Sequence, residues 1–147
     1  SIQNAYNLVN RGFEIGLSEV AMHEQVGLLA YSPLAQGTLT GKYLGGQMPQ
    51  GSRLALFGDG PLMMRYKGDK TQQAIEMYVN LAKKYEIDPA QLAIQFCNIQ
   101  PFVTSTIIGA TTMEQLKTCI DSVDLDITKE IMNEIRGIHK EIPNPAP

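Results

Sequence analysis

Cysteine is scarce in this sequence, and its two occurrences, Cys97 and Cys119, stand far apart without a CxxC spacing or a second pair. That excludes a zinc site of the usual kind and leaves two reduced, buried thiols as the expectation. A basic excess is also missing: 12 Lys and Arg are scattered among 15 Asp and Glu, for a net charge of -3. Nucleic-acid binding needs clustered positive charge, so that class is excluded. No apolar run approaches the ~20 residues of a membrane span, and no leader pattern opens the chain. A cytoplasmic protein acting on small molecules, with no nucleic acid or membrane partner, is the expectation. The two histidines, His23 and His139, lie in helical patterns without a nucleophile elbow or a metal pair. No GxGxxG occurs, which disfavours a Rossmann nucleotide domain.

What is present is a regular alternation. Residues 1–8 (SIQNAYNL) read as a short strand entering a loop, and the following GFEIGLSEVAMHEQVG as a helix with Ile15, Val20, Met22 and Val26 as its apolar stripe. Gly27 is suited to the left-handed residue past that helix. LLAYS, residues 28–32, is a continuous apolar run of the kind covered on both faces. Residues 44–68, with six glycines and two prolines, are too long and broken for a simple connection and read as a functional loop. Residues 71–87 form an amphipathic helix. Asp88-Pro89-Ala90-Gln91 starts another, with Leu92, Ala93, Phe96 and Cys97 toward the core. VTSTIIGA (103–110) is a strand, and TTMEQLKTCI a Thr-capped helix with Leu116 and Ile120 one turn apart. A last helix is capped by Thr128 and carries Ile131, Ile135 and Ile138, and PNPAP ends it. Three strands separated by helices imply parallel pairing in an α/β fold.

Two strand ends suit a phosphate. Gly37-Thr38-Leu39-Thr40-Gly41-Lys42-Tyr43 resembles a Walker loop, but the glycines are one residue too close and Tyr43 stands where Ser or Thr would bind magnesium. Lys42, beyond a strand's carboxyl end and beside glycine-freed NH groups, instead suits a diphosphate without metal. Ile108-Gly109-Ala110-Thr111-Thr112 opens into a capped helix and aims NH groups and hydroxyls at one point.

SIQNAYNLVNR, LLAYSPLAQGTLTGKY, SRLALFG and STIIGATTMEQLKTCI, in this order and at these separations, resemble the carboxyl-terminal part of an aldo-keto reductase. The likeness is to the bacterial Tas-like branch, near the potassium-channel β subunits. It implies a partial (β/α)8 TIM barrel: strands six to eight with their helices and a C-terminal helix, residues 1–147 forming one cofactor-side part. Gln3 would bond the nicotinamide carboxamide and Tyr31 would stack on the nicotinamide ring. Ser32, Leu34, Gln36, Gly37 and Lys42 would line the diphosphate, with Arg53 helping to hold it. Gly109, Thr111 and Gln115 would grip the adenosine end and its 2′-phosphate. The implied cofactor is NADPH/NADP and the implied reaction is hydride transfer to an aldehyde or ketone. Thr118-Cys119 replaces the Glu-Asn usual for the adenine contact. The catalytic Asp, Tyr, Lys and His of such enzymes belong to earlier strands, so this chain is expected to be catalytically incomplete, with no catalytic or metal-binding residue of its own. The alternative is a non-catalytic assembly or binding module on the same fold. Unpaired strand edges and an uncovered inward face of Ile, Leu and Val lead to the expectation of a homo-oligomer, or of pairing with the missing half-barrel.

Overall fold

The computed structural model describes residues 1–58 and 60–147. Strands β1 (Ile2–Ala5), β2 (Leu28–Tyr31) and β3 (Val103–Thr106) form one sheet in the order β1-β2-β3. Both pairings are parallel, with Gln3 beside Leu29, Ala5 beside Tyr31 and Leu29 beside Ser105. Helix α1 (Leu17–His23) lies between β1 and β2. Short helices α2 (Arg53–Phe57) and α3 (Pro61–Met64), then α4 (Asp69–Lys84) and α5 (Pro89–Asn98), lie between β2 and β3; α6 (Met113–Asp121) and α7 (Lys129–Glu141) follow. The long loop of the sequence reading is thus partly helical.

Residues paired in a parallel sheet share a face. Leu28 and Ala30 have no exposed surface and point to the helices, where Phe96, Ala93 and Leu92 of α5, Ala74, Ile75 and Tyr78 of α4, and Ile131 and Ile135 of α7 complete the core. The opposite face is open, and it carries Gln3, half-buried Leu29, Tyr31 and Ser105. This corrects the expected bare face of Ile, Leu and Val: the open side of the sheet is half polar. The helix caps are those expected, with Asp88 Oδ1 accepting from the Ala90 and Gln91 NH groups, Thr112 Oγ1 from Gln115 N and Thr128 Oγ1 from Ile131 N.

Two local expectations fail for physical reasons. The first helix is short and preceded by a 3-10 turn (Gly12–Glu14); only Ala21 of α1 is buried, while Ile15, Val20, Met22 and Val26 are exposed because no element covers that side. Gly27 is not left-handed; Gln25 takes that conformation at φ 52°. Gly27 is required by proximity instead, since a Cβ there would lie 1.6 Å from Thr104 Oγ1. Thr104 is the extra residue where the β2–β3 register shifts, and it leans over the glycine. β3 is also shorter than read: it ends at Thr106, so Gly109 lies beyond it, while Gln3 lies within β1.

Candidate functional site

β2 ends at Tyr31, and the chain then makes an unusual turn. Ser32, Ala35 and Gln36 have φ of 54°, 49° and 60°, and Gly37 has 90°. Left-handed backbone at non-glycine residues persists only where surroundings over-determine it, and it concentrates at binding and catalytic sites. Here the Ser32 carbonyl accepts from Ala35 N at 2.9 Å, the Leu34 carbonyl from Gly37 N at 2.8 Å, and Thr38 Oγ1 and Thr40 Oγ1 donate to the Ala35 and Gly37 carbonyls, each at 2.8 Å. Gln36 Nε2 reaches back to Ser32 Oγ at 3.4 Å.

Lys42 does not extend into solvent. Its ammonium lies 5.1 Å from the Tyr43 ring centre, and a Cβ on Gly37 would come within 3.1 Å of Lys42 Cε and Nζ. Gly37 therefore does two things that another residue would not: it takes the left-handed turn and admits the lysine. Tyr43, read from the sequence only as a misplaced magnesium ligand, supports the lysine from below and accepts a hydrogen bond from Leu54 N at 3.4 Å. That bond ties the turn to the start of α2, where Arg53 is exposed. Among the described residues neither Lys42 nor Arg53 forms an ion pair, so both charges are available to an anion.

Tyr31 is 37% exposed, so its ring stands outside the core. It shares the open face with Gln3, whose partner Leu29 lies two residues before it on β2. An exposed ring and an exposed carboxamide on one bare face fit a flat, amide-bearing ring. At the end of β3, Gln115 Oε1 accepts from Thr111 N at 3.0 Å and Thr111 Oγ1 at 3.1 Å, so the α6 entry loop is shaped by its own side chains. Gly109, Thr111 and Gln115 are all exposed. The structure thus brings Gln3 and Tyr31 onto one face, and Ser32, Leu34, Gln36, Gly37 and Lys42 into one turn continuous with it. Thr111 and Gln115 stand at the entry of α6, beyond the end of the neighbouring strand β3. Cys119 of α6 is a free, buried thiol.

A second polar cluster, unsuspected from the sequence, lies behind β1. Glu14 accepts from Tyr6 Oη at 2.6 Å and from Arg11 Nε and Nη2 at 2.7 and 2.8 Å. Burial works against the Glu14 carboxylate, yet the Arg11 and Tyr6 hydrogen bonds outweigh it and hold its pKa below the ordinary value. Burial pushes the Tyr78 hydroxyl up to about 12 and, seconded by the Arg11 charge, pushes His139 down. Among the described residues, Tyr78 Oη, His139 Nδ1 and Arg11 Nη1 are buried without a well-formed hydrogen bond, although the nearby Arg11 charge partly opposes the rise at Tyr78. Cys97, wholly buried, is raised far from thiolate formation by desolvation. These groups knit the core and do not face the open side of the sheet. Among the described residues no group of His, Cys, Asp and Glu could hold a metal ion, and no helix is long and apolar enough to cross a membrane.

Comparison with known proteins bears on this arrangement. The sequence profile of the Aldo/keto reductase family matches residues 1–140. The chain is 50% identical over all 147 residues to Protein tas of Escherichia coli (strain K12), spanning 42% of that protein. It is 35% identical over 120 residues to the "Probable voltage-gated potassium channel subunit beta" of Oryza sativa subsp. japonica, which covers 80% of this chain and 37% of that one. The solved structure of a glycerol dehydrogenase from Gluconobacter oxydans superimposes with a TM-score of 0.73 at 23% identity, over 97% of this chain and 43% of that chain. This last likeness establishes the architecture: three consecutive parallel strands and their helices, as part of a (β/α)8 barrel. The chain therefore spans less than half the length of these relatives, and it belongs to the aldo/keto reductase family.

Proposed function

We propose that this chain is the cofactor-holding part of an NADPH-dependent aldo-keto reductase, residues 1–147 acting as a single unit of the barrel. The observation that carries the reading is the left-handed turn Ser32–Gly37 with Lys42 folded onto it, placed at the strand end beside the open face of Gln3 and Tyr31. The residues fit the cofactor: an unpaired ammonium and guanidinium for the diphosphate, an exposed ring for the nicotinamide and an amide for its carboxamide. Gly109, Thr111 and Gln115 complete the grip at the adenosine 2′-phosphate end. The turn's NH groups and Lys42 neutralise charge and fix the cofactor's position; Tyr31 and Gln3 orient its ring along the bare sheet face. When bound, NADPH supplies the hydride that reduces an aldehyde or ketone, and the proton donor belongs to strands outside this chain.

A second reading, an assembly module without chemistry, draws on one observation: exposed apolar residues gather on α1 and α6. A complete barrel containing this segment distinguishes them, since the first reading predicts turnover of 4-nitrobenzaldehyde with NADPH and the second predicts none. Charge-assisted contacts are worth roughly 1.5 to 3 kcal/mol, so Lys42→Met in that complete enzyme raises the NADPH dissociation constant at least about tenfold. Fluorescence titration reads it, and an unchanged constant overturns the diphosphate role.

A further inference from the structure

The structure assigns to Asn7 the task of positioning the turn that carries the cofactor grip; the inference rests on the reading proposed above. Asn7 has no exposed surface, and both ends of its carboxamide are engaged. Its Oδ1 accepts from Val9 N at 3.0 Å and Asn10 N at 2.9 Å, which folds the chain back immediately after β1. Its Nδ2 donates to the Ser32 carbonyl at 3.0 Å, across from β1 to the exit of β2.

Ser32 is the first of the left-handed residues, and its carbonyl is the acceptor on which Ala35 N also closes. A serine at φ 54° ahead of a proline has no reason of its own to stay there. Asn7 supplies one, because a wrongly turned Ser32 would leave a buried amide donor without a partner, a costly loss. A carboxamide offers, from two different atoms and without a charge, an acceptor to its own turn and a donor to a distant carbonyl. The turn is itself anchored by the C-terminal tail: Ala146 N donates to the Val9 carbonyl at 3.1 Å, Asn144 Oδ1 accepts from Arg11 N at 2.7 Å, and Thr71 Oγ1 donates to the Pro145 carbonyl at 2.8 Å. Asn7 is thus the point at which the tail's hold on the barrel is passed to the cofactor turn. It is a positioning residue and touches no ligand.

Asn7→Asp separates the two halves of this role. The carboxylate keeps the acceptor for Val9 and Asn10 but sets an oxygen against the Ser32 carbonyl. In the full-length enzyme at neutral pH the variant is expected to bind NADP+ about tenfold more weakly, and the backbone amides of residues 33–41 to exchange hydrogen at least about tenfold faster, while those of α5 are unchanged. At pH 5 the affinity gap to the unsubstituted enzyme narrows, because a protonated carboxyl again donates to Ser32; a merely structural lesion has no reason to recover. Asn7→Ala, which brings no charge into the core, weakens binding in the same direction and shows no recovery in acid. If the unsubstituted enzyme binds NADP+ and Asn7→Asp binds it equally tightly, the positioning role is overturned and the cofactor reading stands. If the unsubstituted enzyme does not bind NADP+, the cofactor reading falls and takes this inference with it.

Discussion

The middle of the molecule and its two flanks are built from similar residues but end up in opposite states. In the middle, Phe96 stacks on Tyr6 with ring centres 5.7 Å apart, Tyr6 meets Phe102 edge-on at 5.3 Å, and the Arg11 guanidinium lies 5.1 Å from the Phe96 ring centre. Strands, α4, α5 and α7 close over one another there. At the flanks, α1 shows Leu17, Val20 and Met22 to solvent, and α6 shows Met113 and Ile120. The outer side of α6 carries Met113, Leu116 and Ile120 at helical spacing, with charged Glu114, Lys117 and Asp121 among them. The difference teaches that burial is a property of neighbours rather than of residues: the flanking stripes are amphipathic without a surface to meet.

The comparison breaks most severely if the middle is hollowed. Phe96→Ala removes a ring with no exposed surface and should cost about 3–5 kcal/mol in urea unfolding, a large share of the ~5–15 kcal/mol that holds a domain folded. A loss below about 1 kcal/mol would mean that the middle is no better packed than the flanks.

A smaller effect tests the polar part of the middle. His139 ordinarily titrates near 6.5, and burial together with Arg11, only partly opposed by Glu14, lowers it in the folded state. Below that pH the unfolded chain binds the proton first, so the folded state holds fewer protons. The stability contribution is therefore present above about pH 6.5 and is lost as pH falls toward the folded value. His139→Gln should flatten this part of the stability-pH curve, leaving the lower fall in which Glu14 is protonated. Parallel curves for the two proteins would remove His139 from the cluster.

The smallest effect on stability belongs to the flanks. Val20→Lys and Ile120→Lys alter side chains that are 56% and 57% exposed, so each should change stability by less than about 0.5 kcal/mol. Self-association should respond instead: light scattering of the 147-residue chain is expected to show an oligomer that the paired substitution dissociates. A well-packed 16.2 kDa monomer before substitution would show that the flanks need no cover.

Much of this was legible in the sequence, for reasons that vary by residue. The Asp88-Pro89 helix start and the Thr112 and Thr128 caps were readable because capping is local chemistry. Ile131, Ile135 and Ile138 were readable because α7 has a helix on which to pack. Ile15, Val20, Met22 and Val26 were misread because periodicity announces an apolar face but cannot say what covers it. Gly27 was misread because its constraint comes from Thr104, distant in sequence. In the candidate site, Lys42 and Gly37 were visible as a glycine-lysine turn, whereas Asn7 and Tyr43 act through residues far along the chain and carried no local signal. The Arg11–Glu14 pair at i, i+3 was visible in principle, but its burial was not.

The central claim is that the open face and its left-handed turn, rather than the apolar flanks, receive the cofactor. Amide hydrogen exchange of the full-length enzyme with and without NADPH tests it most directly. Slower exchange is expected across residues 31–43 and at the Gly109–Gln115 loop, with α1 and the Ile120 end of α6 unchanged. Protection along the apolar side of α6 with none across residues 31–43 would contradict it.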